Sequence, residues 1–176
     1  MSLLRFLGLG ETDAARENEP ASLVEIGREL ESLPPDEARF VAAFAYILAR
    51  VAAADLTTDD VEKSSMVGHL QAFAEVGADR APLLAEAAVR ATAAHSPSDD
   101  HLVTRAFRDM SSDVERIRLL RCLYAVAAAD EHISTVEDNE IFEVAAALGV
   151  ARPDVVAVRS AFKQYLGTLR ALPGER

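Results

Sequence analysis

The sequence predicts an all-α, single-domain helical bundle of about seven to nine helices, containing two pseudo-symmetric helix–acidic loop–helix repeats. Three observations predict it. Half of the 176 residues are apolar and alanine is abundant, which favours a packed helical core. Apolar residues recur at helical spacing, and no segment gives a convincing period-two run of β-branched residues. One stretch of the chain also matches another 75 residues further on, from Asp55 to Asp130.

The elements follow in order. Residues 1–10 are apolar but short, interrupted by Arg5, and residues 11–20 read as a polar linker. Ser22 opens a helix with Leu23, Ile26 and Leu30 on one face and Glu25, Arg28 and Glu29 on the other. Pro34-Pro35 stops it, and Pro35 suits the first turn of the next helix, with Asp36 and Glu37 at its positive end. That helix runs through Phe40, Phe44, Ile47, Leu48 and Val51 to about Ala54. After Asp55-Leu56-Thr57-Thr58, a helix starts at Asp59, carries Val61, Met66, Leu70 and Phe73, and stops at Gly77. Leu83, Leu84, Ala87 and Val89 mark a helix that fades near His95. Ser96 as N-cap, Pro97 and Asp99 start another, with Leu102, Ala106 and Phe107.

Ser112 or Asp113 caps a long helix with Val114, Ile117, Leu120, Leu123, Tyr124 and Ala127, ending near Ala129. Beyond Asp130-Glu131-His132-Ile133, a helix starts at Ser134, runs through Ile141, Phe142 and Ala145, and stops at Gly149. Pro153 opens the last helix, with Val155, Val158, Phe162 and Leu166. The organisation expected is an N-terminal segment and linker (1–20), a helical domain (21–170) with repeats at about 35–77 and 112–149, and a frayed tail (171–176).

Charge narrows the partners. Eighteen Lys and Arg against 29 Asp and Glu give a formal charge of −11, with no basic stripe, so nucleic-acid binding is not expected. No stretch approaches the roughly 20 apolar residues of a membrane span, so an integral membrane protein is not expected either. The N-terminal segment reads as a short amphipathic helix that packs on the body rather than on lipid, because one Arg attracts anionic lipid weakly. The single cysteine, Cys122, lies in an apolar helical run and reads as a buried, inert thiol, which fits a reducing compartment.

The internal match supplies the candidate site. Val51-Ala52-Ala53-Ala54-Asp55 repeats as Val126-Ala127-Ala128-Ala129-Asp130, and Val61-Glu62 as Val136-Glu137. Phe44 aligns with Leu119, Leu48 with Leu123 and Met66 with Ile141, and the loop length is the same in both copies. Small residues before each Asp let two helices approach closely, and a short connection folds the second helix back on the first. Ser134 and Glu137 have the spacing of a capping box, Asp59 and Glu62 that of its Asp variant, and each cap contributes about 1 kcal/mol. Asp55 and Asp130 have two readings: each closes its turn on backbone N–H groups, or each helps hold a cation. The cation set would be Asp55, Asp59 and Glu62 in the first copy, and Asp130, Ser134 and Glu137 in the second. Neither loop is an EF-hand, since both lack the alternating ligands and the mid-loop glycine.

The twice-used pattern Ala-Ala-Asp, three positions, Ser or Asp, two positions, Glu resembles the TerB-like family of tellurite-resistance proteins, over roughly residues 34–166. The resemblance implies an all-α bundle of two pseudo-symmetric halves, in the cytoplasm or on the inner face of the membrane. It also implies divalent-metal binding through Asp55, Glu62, Asp130 and Glu137, and an association with tellurite and stress resistance. Where the family often has glycine after the key Asp, this chain has Leu56 and Glu131; glycine permits a left-handed turn that a side chain resists.

No catalytic constellation emerges. His69, His95, His101 and His132 form no His-x-x-x-His arrangement, and His132, the one beside other ligand types, reads as a bystander. Glycine-rich phosphate loops and Gly-x-Ser-x-Gly elbows are missing, and pairs such as Asp59-Asp60 and Asp99-Asp100 read as solvated helix starts. The expectation is a non-enzymatic module, cytoplasmic or peripheral at the inner membrane. Its partners would be a divalent cation (calcium or magnesium), a basic or membrane-protein partner, or a second copy in a homodimer. The alternative is a structural, protein-interaction domain whose acidic loops are helix caps alone.

Overall fold

Helix α1 (Pro35–Ala52) begins as its sequence requires. Pro34 takes an extended ψ of 140°, Pro35 occupies the first turn, and Asp36 and Glu37 sit near the positive end. The computed structural model describes residues 30, 33–54, 60–94 and 97–167. Residues 1–29 lie outside the described residues, and with them the N-terminal segment, the linker and most of the expected first helix. The tail from 168 onward lies outside them as well.

From Val41 to Ala52 every residue of α1 except Arg50 is buried. A helix buried round its whole circumference belongs at the centre of a domain. Its alanines, Ala42, Ala43, Ala45, Ala49 and Ala52, let neighbours come close on all sides. Around it pack α2 (Asp60–Phe73), α3 (Ala81–Ala94), α4 (Pro97–Met110), α5 (Asp113–Ala127) and α6 (Thr135–Ala147). A seventh helix, α7 (Arg152–Ala161), packs on α5. The described residues thus form seven α-helices and a 3₁₀ turn at Lys163–Tyr165, with one isolated β-bridge and no strand.

The helix ends carry the local chemistry that the sequence offers. Ser112 caps α5 in a full capping box: the Glu115 N–H donates to Ser112 Oγ at 3.3 Å, and the Ser112 N–H donates to the Glu115 carboxylate at 2.7 Å. The Ser112 hydroxyl and N–H together hold the Glu115 carboxyl below its ordinary range. At the far end of α6, Gly149 takes φ 73°, the Gly149 N–H donates to Ala146 O, and the Val150 N–H donates to Ala145 O. Those two bonds are a Schellman stop.

Two expected ends differ. Helix α2 stops at Phe73, not at Gly77, because the Ala74 and Val76 N–H groups both fold back onto Leu70 O at 3.2 Å. Glu75 takes the left-handed φ of 52°, and Gly77 instead opens α3, its carbonyl accepting from Arg80 and Ala81. Helix α7 does not run on to Leu166. It ends at Ala161, and Leu166 turns extended to pair with Ile133, where the Ile133 N–H donates to Tyr165 O at 2.7 Å and the Gly167 N–H to Ile133 O at 2.9 Å. A Cβ at Gly167 would fall 2.7 Å from His132 Cε1 and 3.2 Å from Ile133 O, so a side chain there would make the exposed His132 ring move and would crowd the backbone bridge.

The core is one continuous cluster to which all seven helices contribute. Phe40 and Phe44 of α1 meet Phe107 of α4 at ring separations of 5.0 and 6.3 Å. Cys122 is buried as expected, and burial pushes its thiol up to about 12, so it stays protonated and unreactive. Between α2 and α5, His69 stacks on Phe73, and the Arg118 guanidinium lies over the same Phe73 ring.

Two outcomes follow from this packing. Leu48→Ala empties a site with no exposed surface and will cost about 2–5 kcal/mol in urea or thermal unfolding, whereas Val61→Ala, at a half-exposed site, will change stability by about 0.5 kcal/mol or less. Burial holds the His69 pKa below its ordinary 6.5, so the unfolded chain takes up that proton first as pH falls. The His69 contribution to stability is therefore whole above about pH 6.5 and declines below it. Unfolding curves of wild type and His69→Phe will diverge as pH drops through that value, the variant losing less stability.

Candidate functional site

The two repeats can be compared turn by turn. Helix α1 leaves through Ala53 at φ −95°, ψ 4°, and α5 leaves through Ala128 at φ −91°, ψ 3°. In each, the cap N–H donates to the carbonyl four residues back at 3.0 Å, from Ala53 to Ala49 and from Ala128 to Tyr124. Ala54 and Ala129 then donate to Val51 and Val126 at 3.1 and 3.0 Å. Entry into the second helix matches too. Val61 and Val136 are 51% and 52% exposed, while Glu62 and Glu137 beside them are 7% and 3% exposed. Met66 and Ile141 are both fully buried. The 75-residue offset read from sequence is thus a structural correspondence at both ends of the turn.

Between those ends only the second copy is described; Asp55, Leu56 and Asp59 lie outside the described residues. In the second copy the Asp130 carboxylate accepts the His132 N–H at 2.8 Å, which closes the turn across Glu131. Glu131 adopts φ 67°, a left-handed geometry that glycine takes most easily, as Gly149 does. Ser134 caps α6 as its spacing predicts. The Glu137 N–H donates to Ser134 Oγ at 3.1 Å, and the Ser134 N–H donates to Glu137 Oε2 at 2.8 Å. So Asp130, Ser134 and Glu137 are brought to one turn, each in a hydrogen bond that shapes it. Among the described residues no group of three or more His, Cys, Asp or Glu side chains is placed to hold a metal ion.

Behind this turn stands a polar cluster that periodicity alone passes over. Arg159 of α7 grips Asp138 of α6 with both carboxylate oxygens engaged, Nη2 to Oδ2 at 2.6 Å and Nε to Oδ1 at 2.9 Å. The Tyr124 hydroxyl of α5 donates to the same Oδ1 at 3.1 Å. Burial first, and the Asp138 charge second, push the Tyr124 phenol well above its usual range, while the hydrogen bond to Asp138 raises Arg159. A signal existed: Asp138 shares the buried face of α6 with Ile141 and Ala145, and Arg159 stands one turn from Val155 in α7. An acid and a base, each at an apolar register position, are natural partners. In the first copy Lys63 occupies the place of Asp138, so this clasp belongs to the second copy alone.

A second cluster joins the repeats. Tyr46 of α1 donates to Asp100 Oδ1 of α4 at 2.6 Å, and Arg50 Nη1 reaches Thr104 Oγ1 at 3.3 Å. Arg50 Nε lies against Glu140 of α6 and 3.9 Å from Asp100 Oδ2, in an ion pair whose angles do not make a hydrogen bond. Two carboxylates therefore neutralise one guanidinium near the exit of α1.

A duplicated helical hairpin, each copy turning through an acidic connection onto a buried glutamate, defines a class of all-α repeat module. The chain belongs to the TerB family: the family model described as Tellurite resistance protein TerB matches residues 40–160, which take in both hairpins. Neither a curated protein nor a solved structure matches the chain significantly.

The turn chemistry is open to direct measurement. Ser134→Ala removes the cap and will lower stability by about 1 kcal/mol, with Ser112→Ala as its counterpart at α5. Glu131→Gly relieves the left-handed strain and will raise stability by about 1 kcal/mol in the same urea titrations.

Proposed function

We propose that the chain is a non-enzymatic TerB-family binding module that takes a divalent cation, calcium or magnesium, at the acidic turn of its first repeat. The observation that carries the reading is the matched entry of the two second helices, with Glu62 buried in the register of Glu137. The two turns differ in sequence where a ligand would matter. The cap position holds Ser134 in the second copy and Asp59 in the first, so Asp55, Asp59 and Glu62 give the first turn three carboxylates. Hard oxygen donors of that kind suit calcium or magnesium, with backbone carbonyls and water completing the shell. A net charge of −11 favours cation capture further.

The second turn favours a different role. The Ser134–Glu137 box and the bond from His132 to Asp130 support a capping role for it. Within the cell the module would serve a tellurite, metal or envelope stress response, in the cytoplasm or at the inner face of the membrane. A basic or membrane-protein partner, or a second copy, would read the cation-loaded state. No helix among the described residues is long and apolar enough to cross a membrane.

Calorimetric titration of the full chain with Ca²⁺, Mg²⁺, Mn²⁺ and Zn²⁺ tests the reading. Binding is expected for calcium or magnesium, weakened about tenfold or more by Asp55→Asn and left within about twofold by Asp36→Asn. Absence of both heat and thermal shift at millimolar metal would remove the cation from the proposal. Equal weakening by the two variants would mean diffuse charge attraction instead of a site.

A further inference from the structure

Helix α7 is lightly rooted for an element that closes the core. It has 10 residues, its N-cap Ala151 makes no side-chain cap bond, and its buried residues are Val155 and Val158. A helix of that length is marginal by itself and owes its order to what holds it down. Three anchors do so, one after another between Arg159 and Gly167. Arg159 grips Asp138 of α6 and lies over the Phe142 ring of the same helix. Phe162 stacks on Tyr124 of α5 at a ring separation of 5.6 Å. Tyr165 O and the Gly167 N–H then take both backbone groups of Ile133, at 2.7 and 2.9 Å.

The anchors are tied to one another on the opposite side as well. Tyr124 meets two of them, its ring carrying Phe162 and its hydroxyl donating to Asp138. Ile133 and Asp138, partners of the last anchor and the first, flank the Ser134–Glu137 cap. The second acidic turn is thus bound through its own backbone to a segment whose other end hangs on one charge-assisted clasp. We propose that residues 152–167 form a strap that opens and closes as one unit, and that the second acidic turn, residues 130–134, loses its order whenever the strap lifts. Lifting it bares Tyr124, Ile133 and Leu166, all buried when it is down, and leaves α2 to α6 packed round α1. Segments with few buried apolar groups are the ones that open locally, and coupling between two sites is reciprocal, so loosening either end loosens the other. In the first repeat Lys63 stands where Asp138 stands, so the clasp has no counterpart there. The strap does not depend on the cation reading, and its test needs no metal.

Native-state amide exchange on the full chain, followed by NMR in low urea, provides the test. In wild type the amides of Val158, Phe162, Ile133 and Gly167 open together, about tenfold or more as often as those of Phe44 and Leu48 in α1. Leu166→Ala, made at the far end from the clasp, speeds Val158 and Ile133 by one common factor of about tenfold or more. Arg159→Glu sets a second carboxylate against Asp138 and leaves the strap lifted, so the same four amides approach free exchange while Phe44 and Leu48 remain protected. Ile133 holding its protection while α7 loses its own would show that the turn stands without the strap. Simultaneous opening of α1 and α7, in wild type or variant, would show that the strap is no separate unit. Either of those results overturns the proposal, as does Val158 exchange unchanged by Leu166→Ala.

Discussion

The burial of α1 on all sides is the constraint from which the rest of the structure follows. A helix that touches α2, α3, α4, α5 and α6 cannot present a polar face anywhere along its middle. Its residues from Val41 to Ala49 are accordingly aliphatic, aromatic or alanine, and its alanines set how near the neighbours come. Polar chemistry is pushed to the ends, apart from the Tyr46 hydroxyl, which meets Asp100. At one end the chain enters through Pro34-Pro35; at the other it leaves through Ala53 toward the acidic turn. Arg50, the one charged residue in the buried run, is tolerable only because Glu140 and Asp100 meet it.

Much of this was legible in the sequence, for identifiable reasons. Helical spacing of apolar residues and the start signals Pro35, Pro97, Ser112 and Ser134 are local, and local signals survive folding. The duplicated Val-Ala-Ala-Ala-Asp was legible because the same backbone exit was kept twice, as the matching angles at Ala53 and Ala128 show. What the sequence concealed depends on contacts between distant segments. Nothing near Leu166 announces that it will leave the helix to pair with Ile133, and Gly77 has the sequence mark of a helix stop although Leu70 O, which accepts two N–H groups, ends the helix earlier. Of the candidate site, the capping box at Ser134 could be read from spacing alone. The left-handed Glu131 could be suspected only from the contrast with glycine.

The two copies differ more in what surrounds them than in how their turns begin and end. Their exits, their exposed valines and their buried glutamates agree closely. Their outer shells do not. The first hairpin is covered by α3 and α4, whereas the second is closed by α7 and by the extended return of Leu166. Lys63 against Asp138, and Ala49 against Tyr124, mark the difference: the second copy has an acid and a phenol that hold Arg159, and the first has a basic and a small residue at those positions. Matching turn ends amid different coverings are what physics permits when backbone geometry is dictated by a few residues and packing is negotiated with whatever lies alongside.

The Arg50 cluster also makes the two halves of the chain depend on each other. Its guanidinium comes from the first hairpin, while Asp100 and Glu140 come from the later half of the chain. A break anywhere between α3 and α4 would leave one fragment with a cation stripped of its counter-ions beside an apolar wall, and the other with two anions facing water where a partner had been. One charge from the first hairpin thus answers to acids from two later helices, so the halves of the chain are tied by electrostatics as well as by packing.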